Sequence, residues 1–106
     1  MTEKEQPSTA EAEVLEAGPV ARVRLAGELD VSSVEGVRPV ITSLLAGEPE
    51  QVVFDLGGLE FTDSSGIALL LVVANAVERV ELHNVSPIVR QVVEKTGLGG
   101  VLVVAQ

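Results

Sequence analysis

A chain of 106 residues is one domain's worth, enough for one core and not for two. With a formal net charge of −9 and few Lys or Arg, it lacks the basic clusters on which phosphate backbones and anionic lipid depend, which excludes nucleic acid and membrane surfaces as partners. No cysteine is present, so disulfides and thiolate nucleophiles drop out, and a lone histidine, His83, cannot assemble a His-rich zinc site.

Residues 1–12 mix acids, lysine and Pro7 without an apolar period and are expected to form a flexible acidic tail, with one domain over 13–106. Their composition also lacks the basic start and apolar run of an export signal, so the expected location is the cytoplasm. EVLEA and VARVRLAG read as two strands joined through Gly18 and Pro19. Val20, Val23 and Leu25 should face inward, and Arg22 and Arg24 outward against glutamates of the neighbouring strand. After GELD, the residues Val34, Val37, Ile41, Leu44 and Leu45 recur at helical spacing behind Ser32 or Ser33 as N-cap, with Gly47 as the stop and Pro39 as an interior obstacle that delays or kinks the helix. QVVFDL is almost continuously apolar, as a strand covered on both faces would be, placing Val52 to Leu56 in the middle of the sheet. A helix from Ser64 to about Val77 follows. Its apolar run, Ile67 to Val77, is far shorter than the roughly 20 residues of a membrane span. RVELHNV is the next strand, then a helix capped by Ser86 with Pro87 at its first position and Gly97 as its stop, and VLVVA closes the chain as a strand. The fold class is therefore α/β, with helices covering a mostly parallel sheet from the third element onward.

Between the third strand and the second helix lies EFTDSSG. In an alternating α/β chain such a loop sits at the carboxyl end of the sheet, where sites form. Asp63 fits an N-cap that accepts hydrogen bonds from the first helical turn, and Gly66 fits close packing of helix on strand. A serine hydrolase would need a GxSxG elbow and a histidine beside the serine. The motif here is DSSG, and His83 belongs to a strand. A phosphate loop at Gly57 and Gly58 would need a lysine, and none occurs between Lys4 and Lys95. The acids of GELD with Asp63 offer a Mg²⁺ set, yet no second cluster supplies a nucleophile or phosphate clamp, so no metal and no cofactor is expected. There remains a serine hydroxyl offered to another protein, whose phosphorylation would add roughly two negative charges and three acceptor oxygens.

LAGELDVSS, VVFDLGGLEFTDSSGIALLL and VELHNVSPIVRQVVEKTGL, in that order, resemble the STAS domain of bacterial anti-sigma factor antagonists over about residues 13 to 104. The DSSG block is the most diagnostic part. The resemblance implies a small mixed sheet flanked by about three helices, and a non-enzymatic role. The chain would bind an anti-sigma factor that is an ATP-dependent serine kinase and thereby free a sigma factor. It also implies phosphorylation at the first serine of the motif, Ser64, reversed by a serine phosphatase. The docking surface it implies comprises Glu28, Asp30, Ser32, Asp63, Ser64, Ser65 and Gly66. A scaffold STAS subunit in a larger regulatory or transporter-associated complex, never phosphorylated, is the alternative. Three departures from the family pattern stand out: a stretch after DSSG about four residues shorter than usual, an end at VLVVAQ without the last helix, and almost no polar face from Ile67 until Asn75. Together they imply exposed apolar surface, and hence a homodimer or a partner helix, while a deeply covered helix accounts equally well for the last of them.

Overall fold

The computed structural model describes residues 9–95 and 102–105. Eight elements follow in the order β1 Ala10–Glu16, β2 Val20–Leu29, α1 Val34–Ala46, β3 Gln51–Thr62, α2 Ser64–Ala76, β4 Arg79–His83, α3 Pro87–Lys95 and β5 Leu102–Val104. The strands form one sheet in sequence order, with β1 antiparallel to β2 and every later pair parallel. Of the expected tail, residues 1–8 lie outside the described residues. Ala10 to Ala12 are paired strand instead, matched to Gly27, Ala26 and Leu25. Gly97, the expected stop of α3, is likewise outside the described residues.

Parallel strands taken in sequence order and joined by right-handed crossovers carry all their connecting helices on one side. The buried residues agree. Val34, Val37 and Ile41 of α1, Ile67, Leu69, Leu70 and Val73 of α2, and Val89 and Val93 of α3 share a single core with Ala21, Val23, Val52, Phe54, Val80, Leu82 and Leu102. The register sets these strand residues in rows across the sheet, Ala21 beside Val52, Val80 and Leu102, and Val23 beside Phe54 and Leu82. Each fully buried Val or Leu contributes on the order of 1.5–3 kcal/mol, so these rows carry most of the stability.

The expectation that β3 is covered on both faces is corrected by this arrangement. Among the described residues no helix lies on the reverse face, which is built of Arg22 and Arg24, Val53 and Asp55, and Arg79, Glu81 and His83. Val53 is only 3% exposed yet is not part of the cluster that the helices share, and its neighbours across the strands are Arg22 and Glu81. The apolar run was misleading because one valine, not a whole face, broke the alternation. The outward arginines do meet β1, with Arg22 3.4 Å from Glu16 and Arg24 3.3 Å from Glu13. Val20 shares their side and is exposed, while Ala21 takes the inward place expected for it.

α1 is bounded where the sequence places its ends, by Ser33 and Gly47, though neither terminates it in the usual way. Ser33 holds the cap position of α1 but makes no side-chain cap bond. At the other end Gly47 is right-handed at φ −82°, and the left-handed turn falls to Glu48 at φ +54°. For α3 the sequence reading holds: Ser86 Oγ accepts the Val89 N–H at 3.2 Å, with Pro87 first in the helix.

Candidate functional site

β3 runs six residues beyond the strand expected from the sequence, through Thr62. Gly57 and Gly58 read as loop, but they lie in a strand that slips register against β2 between Arg24 and Ala26. The slip is held from the side: Asp55 accepts the Gly57 N–H at 2.9 Å and the Asn84 side-chain amide at 3.0 Å. The Asn84 hydrogen bond first, and the Gly57 N–H after it, hold the Asp55 carboxyl below its ordinary range. At Gly58 an added Cβ would stand 3.1 Å from that of Ala26, so the two strands approach closely where a side chain would part them. This extension carries the DSSG segment to the far end of the sheet, beyond the last residue of β4.

Thr62, buried at the end of β3, donates to Leu29 O at 3.0 Å, and Asp63 N donates to the same carbonyl at 3.3 Å. The ends of β2 and β3 are thereby tied together. Asp63 then caps α2 as expected, its Oδ1 accepting the Ser65 N–H at 2.8 Å and its main-chain carbonyl accepting from Gly66 and Ile67. The second carboxylate oxygen does something the sequence did not foretell: Oδ2 accepts the Val31 N–H at 3.4 Å, from the loop between β2 and α1. One carboxylate thus joins two loops.

That second loop is ordered from within. Asp30 Oδ1 accepts both the backbone N–H and the hydroxyl of Ser32, at 3.0 and 2.7 Å. Ser33 Oγ donates to Glu28 O at 2.6 Å and accepts the Asp30 N–H at 3.0 Å. Its hydroxyl is committed backward to the loop, which is why it caps nothing.

Of the seven residues expected at a docking surface, Glu28, Ser32 and Ser64 are exposed, Asp30, Asp63 and Ser65 half-buried, and Gly66 buried. A Cβ on Gly66 would land on Thr62 Oγ1 and come within 3.0 Å of both Leu29 Cγ and Leu29 O, so its place is the packing beneath the helix terminus. Ser64 opens α2 in the open, and among the described residues its hydroxyl has no hydrogen-bond partner. Two exposed apolar side chains on the segments that meet at Asp63, Val31 and Phe61, carry no mark in the sequence that sets them apart. The only signal was a valine inside the polar run DVSS and a phenylalanine before TDSS.

Among the described residues neither the histidine–serine pair nor the carboxylate set considered above is brought together. His83 pairs with Asp55 across the strands and bonds Glu81 at 3.0 Å on the reverse face. From Asp55 the strand continues to Thr62, roughly 20 Å at about 3.3 Å per residue, so His83 does not reach Ser64. Among the described residues no three His, Cys, Asp or Glu side chains stand together as a metal set, so Glu28, Asp30 and Asp63 do not converge on an ion. No described helix is long and apolar enough to cross a membrane.

The family model that fits this chain is the STAS domain, matched over residues 11–105. The chain belongs to the STAS domain family. Within it, this STAS domain is 39% identical over 82 residues to an anti-sigma F factor antagonist of Lysinibacillus sphaericus, an alignment covering 73% of this chain and 70% of that one. It is 31% identical to the anti-sigma factor antagonist SpoIIAA. The unphosphorylated form of that protein superposes with a TM-score of 0.75 over 91% of this chain and 89% of the other. The phosphorylated Bacillus form superposes with a TM-score of 0.65 over 92% and 91%. An anti-sigma factor antagonist of Mycobacterium paratuberculosis, 22% identical and covering 90% of this chain and 84% of its own, shares the fold at a TM-score of 0.80. The mixed sheet with three helices expected from the sequence is the fold of these relatives.

Proposed function

We propose that this STAS domain is an anti-sigma factor antagonist, a regulatory binding protein and not an enzyme. It holds an anti-sigma factor serine kinase, frees a sigma factor, and lets go when Ser64 is phosphorylated; a serine phosphatase resets it. The observation that carries this reading is the Ser64 hydroxyl, exposed at the first position of α2 and unpartnered among the described residues. Its relatives support it: one is an anti-sigma F factor antagonist, and SpoIIAA exists in a phosphorylated form.

Electrostatics explains how one phosphate would end binding without unfolding the domain. A phosphate at the α2 N-terminus gains up to about 2 kcal/mol from the helix dipole. Asp63 is its chain neighbour, Asp30 belongs to the loop that Asp63 ties to the helix, and Glu28 stands at the end of β2 just before that loop. A dianion about 8 Å from one carboxylate is repelled by roughly 2 to 4 kcal/mol at an effective dielectric of 20 to 40, before screening. The two effects offset, so the fold persists. A partner seated on Ser64 would have to desolvate a charged group with no matching donor, at several kcal/mol.

The test replaces Ser64 by Ala and by Asp and measures binding to purified anti-sigma factor kinases of the host, with phosphorylation by each kinase and ATP followed by mass spectrometry. Ser64→Ala should bind as wild type and take up no phosphate, while Ser64→Asp should bind at least about tenfold more weakly. Equal binding by both variants ends the switch. A wild-type chain left unmodified by every kinase would point to the scaffold role instead.

A further inference from the structure

Val31 is 74% exposed and breaks the polar run from Asp30 to Ser33, yet its backbone is fixed by the Asp63 carboxylate at 3.4 Å. Phe61, one of only two phenylalanines in the chain, is 42% exposed on β3, two residues before Asp63 and beside Glu28 of β2. The other ring, Phe54, is wholly buried. Phe61 precedes Asp63 by two residues and Val31 is bonded to it through its N–H, so both exposed apolar groups belong to the segments that meet at Asp63, the residue before Ser64. A large apolar side chain held in place on a backbone anchored by hydrogen bonds loses little freedom when a partner covers it, the property of an interface anchor. Around them the charges share one sign: Glu28 and Glu60 are exposed, Asp30 and Asp63 half-buried, and segments 28–33 and 60–66 contain no Lys or Arg.

We propose that Val31 and Phe61 are the apolar anchors of the partner-binding surface around Ser64, and that the partner meets them with an apolar depression ringed by Lys and Arg. The proposal rests on the antagonist reading and names the chemistry of the surface that reads Ser64. A second copy of this chain is the poorer occupant, because it would set the same acids against these and bring a net charge of −9 onto −9. The apolar pair supplies affinity, and the acidic rim steers a basic partner into register. A phosphate on Ser64 would then bring charge to a surface that the partner must keep dry.

Val31→Ser and Phe61→Ala, each folded by circular dichroism and thermal melting, should bind the purified anti-sigma factor kinase about tenfold more weakly than wild type or worse. Leu15→Ala, equally apolar and 48% exposed but on β1 near the opposite end of the sheet from Leu29 and Thr62, should bind as wild type. Association should slow as salt is raised. If wild type binds and both anchor variants bind equally well, or Leu15→Ala is weakened as much, the anchors are wrong while the antagonist reading stands. A salt-independent association rate overturns the basic ring. No binding by wild type to any host kinase sinks the antagonist reading itself. Val31 is exposed enough that its replacement leaves the fold intact, so the test survives even if Phe61→Ala proves unstable.

Discussion

Gly66 shows how tightly the surroundings of Ser64 are specified at the level of single atoms. The helix terminus descends onto the β2–β3 junction so closely that a methyl group at residue 66 would strike Thr62 Oγ1 and crowd Leu29. Thr62 cannot retreat without giving up its bond to Leu29 O. Gly66→Ala should therefore destabilise the domain by about 2 kcal/mol or more, roughly a 10 °C fall in melting temperature for a chain of this size. An unchanged melt would show that the helix can lift without penalty. At this scale the sequence was largely legible. DSSG announced a cap, and Asp63 is that cap. The bridge from Asp63 to Val31 was not legible, because hydrogen bonds between residues 32 positions apart leave no periodicity behind them. The exposure of Val31 and Phe61 was hidden for a related reason: an apolar letter at a strand end reads as core unless the register is known.

Among the elements, α1 departs furthest from what its sequence favours. Pro39 is its sixth residue, where it withholds a hydrogen bond from the Glu35 carbonyl and crowds it. The helix tolerates this because Val34, Val37 and Ile41 bury the opposite stripe in the common core while Pro39 stays exposed. Pro39→Ala should thus stabilise the protein by about 1 kcal/mol or more, the regained bond outweighing the lost restriction of the unfolded chain, and denaturant unfolding would register it as a higher midpoint. A lower midpoint would mean that the ring contributes packing in the groove of ≈ 530 Å³ it lines with Val14, Ala21 and Leu44. The strands were read well in number and order but not in extent. From sequence β3 ends at Leu56, because two glycines are the usual mark of a turn. Here Asp55 and Asn84 hold those glycines in an irregular strand, and that reach of backbone is what sets Ser64 beyond its neighbours.

On the scale of the whole molecule, all three helices on one side leave a reverse face whose polar side chains pair with one another. Glu81 on that face is held below its ordinary range by its hydrogen bond to His83 first and that to Arg79 next, as Asp55 is by Asn84 and Gly57. Both carboxylates are lowered on folding, so their stabilising effect is complete above the ordinary carboxylate range near pH 4 and is lost as the pH falls below it through their depressed values. Unfolding measured from pH 7 downward should show stability level to about pH 5 and falling below pH 4, with Asp55→Asn showing a shallower fall. A parallel fall in that variant would remove Asp55 from the account. One-sidedness was foreseeable from element order alone, had the continuous run in QVVFDL not argued otherwise. The outermost strand, β1, adds a property of its own. Among the described residues no strand pairs with its outer edge, along which Glu11, Glu13 and Glu16 recur. Two such strands lying side by side would oppose carboxylate to carboxylate, so fibre-like stacking of many copies is discouraged wherever those acids are ionised, and acidification lifts the guard.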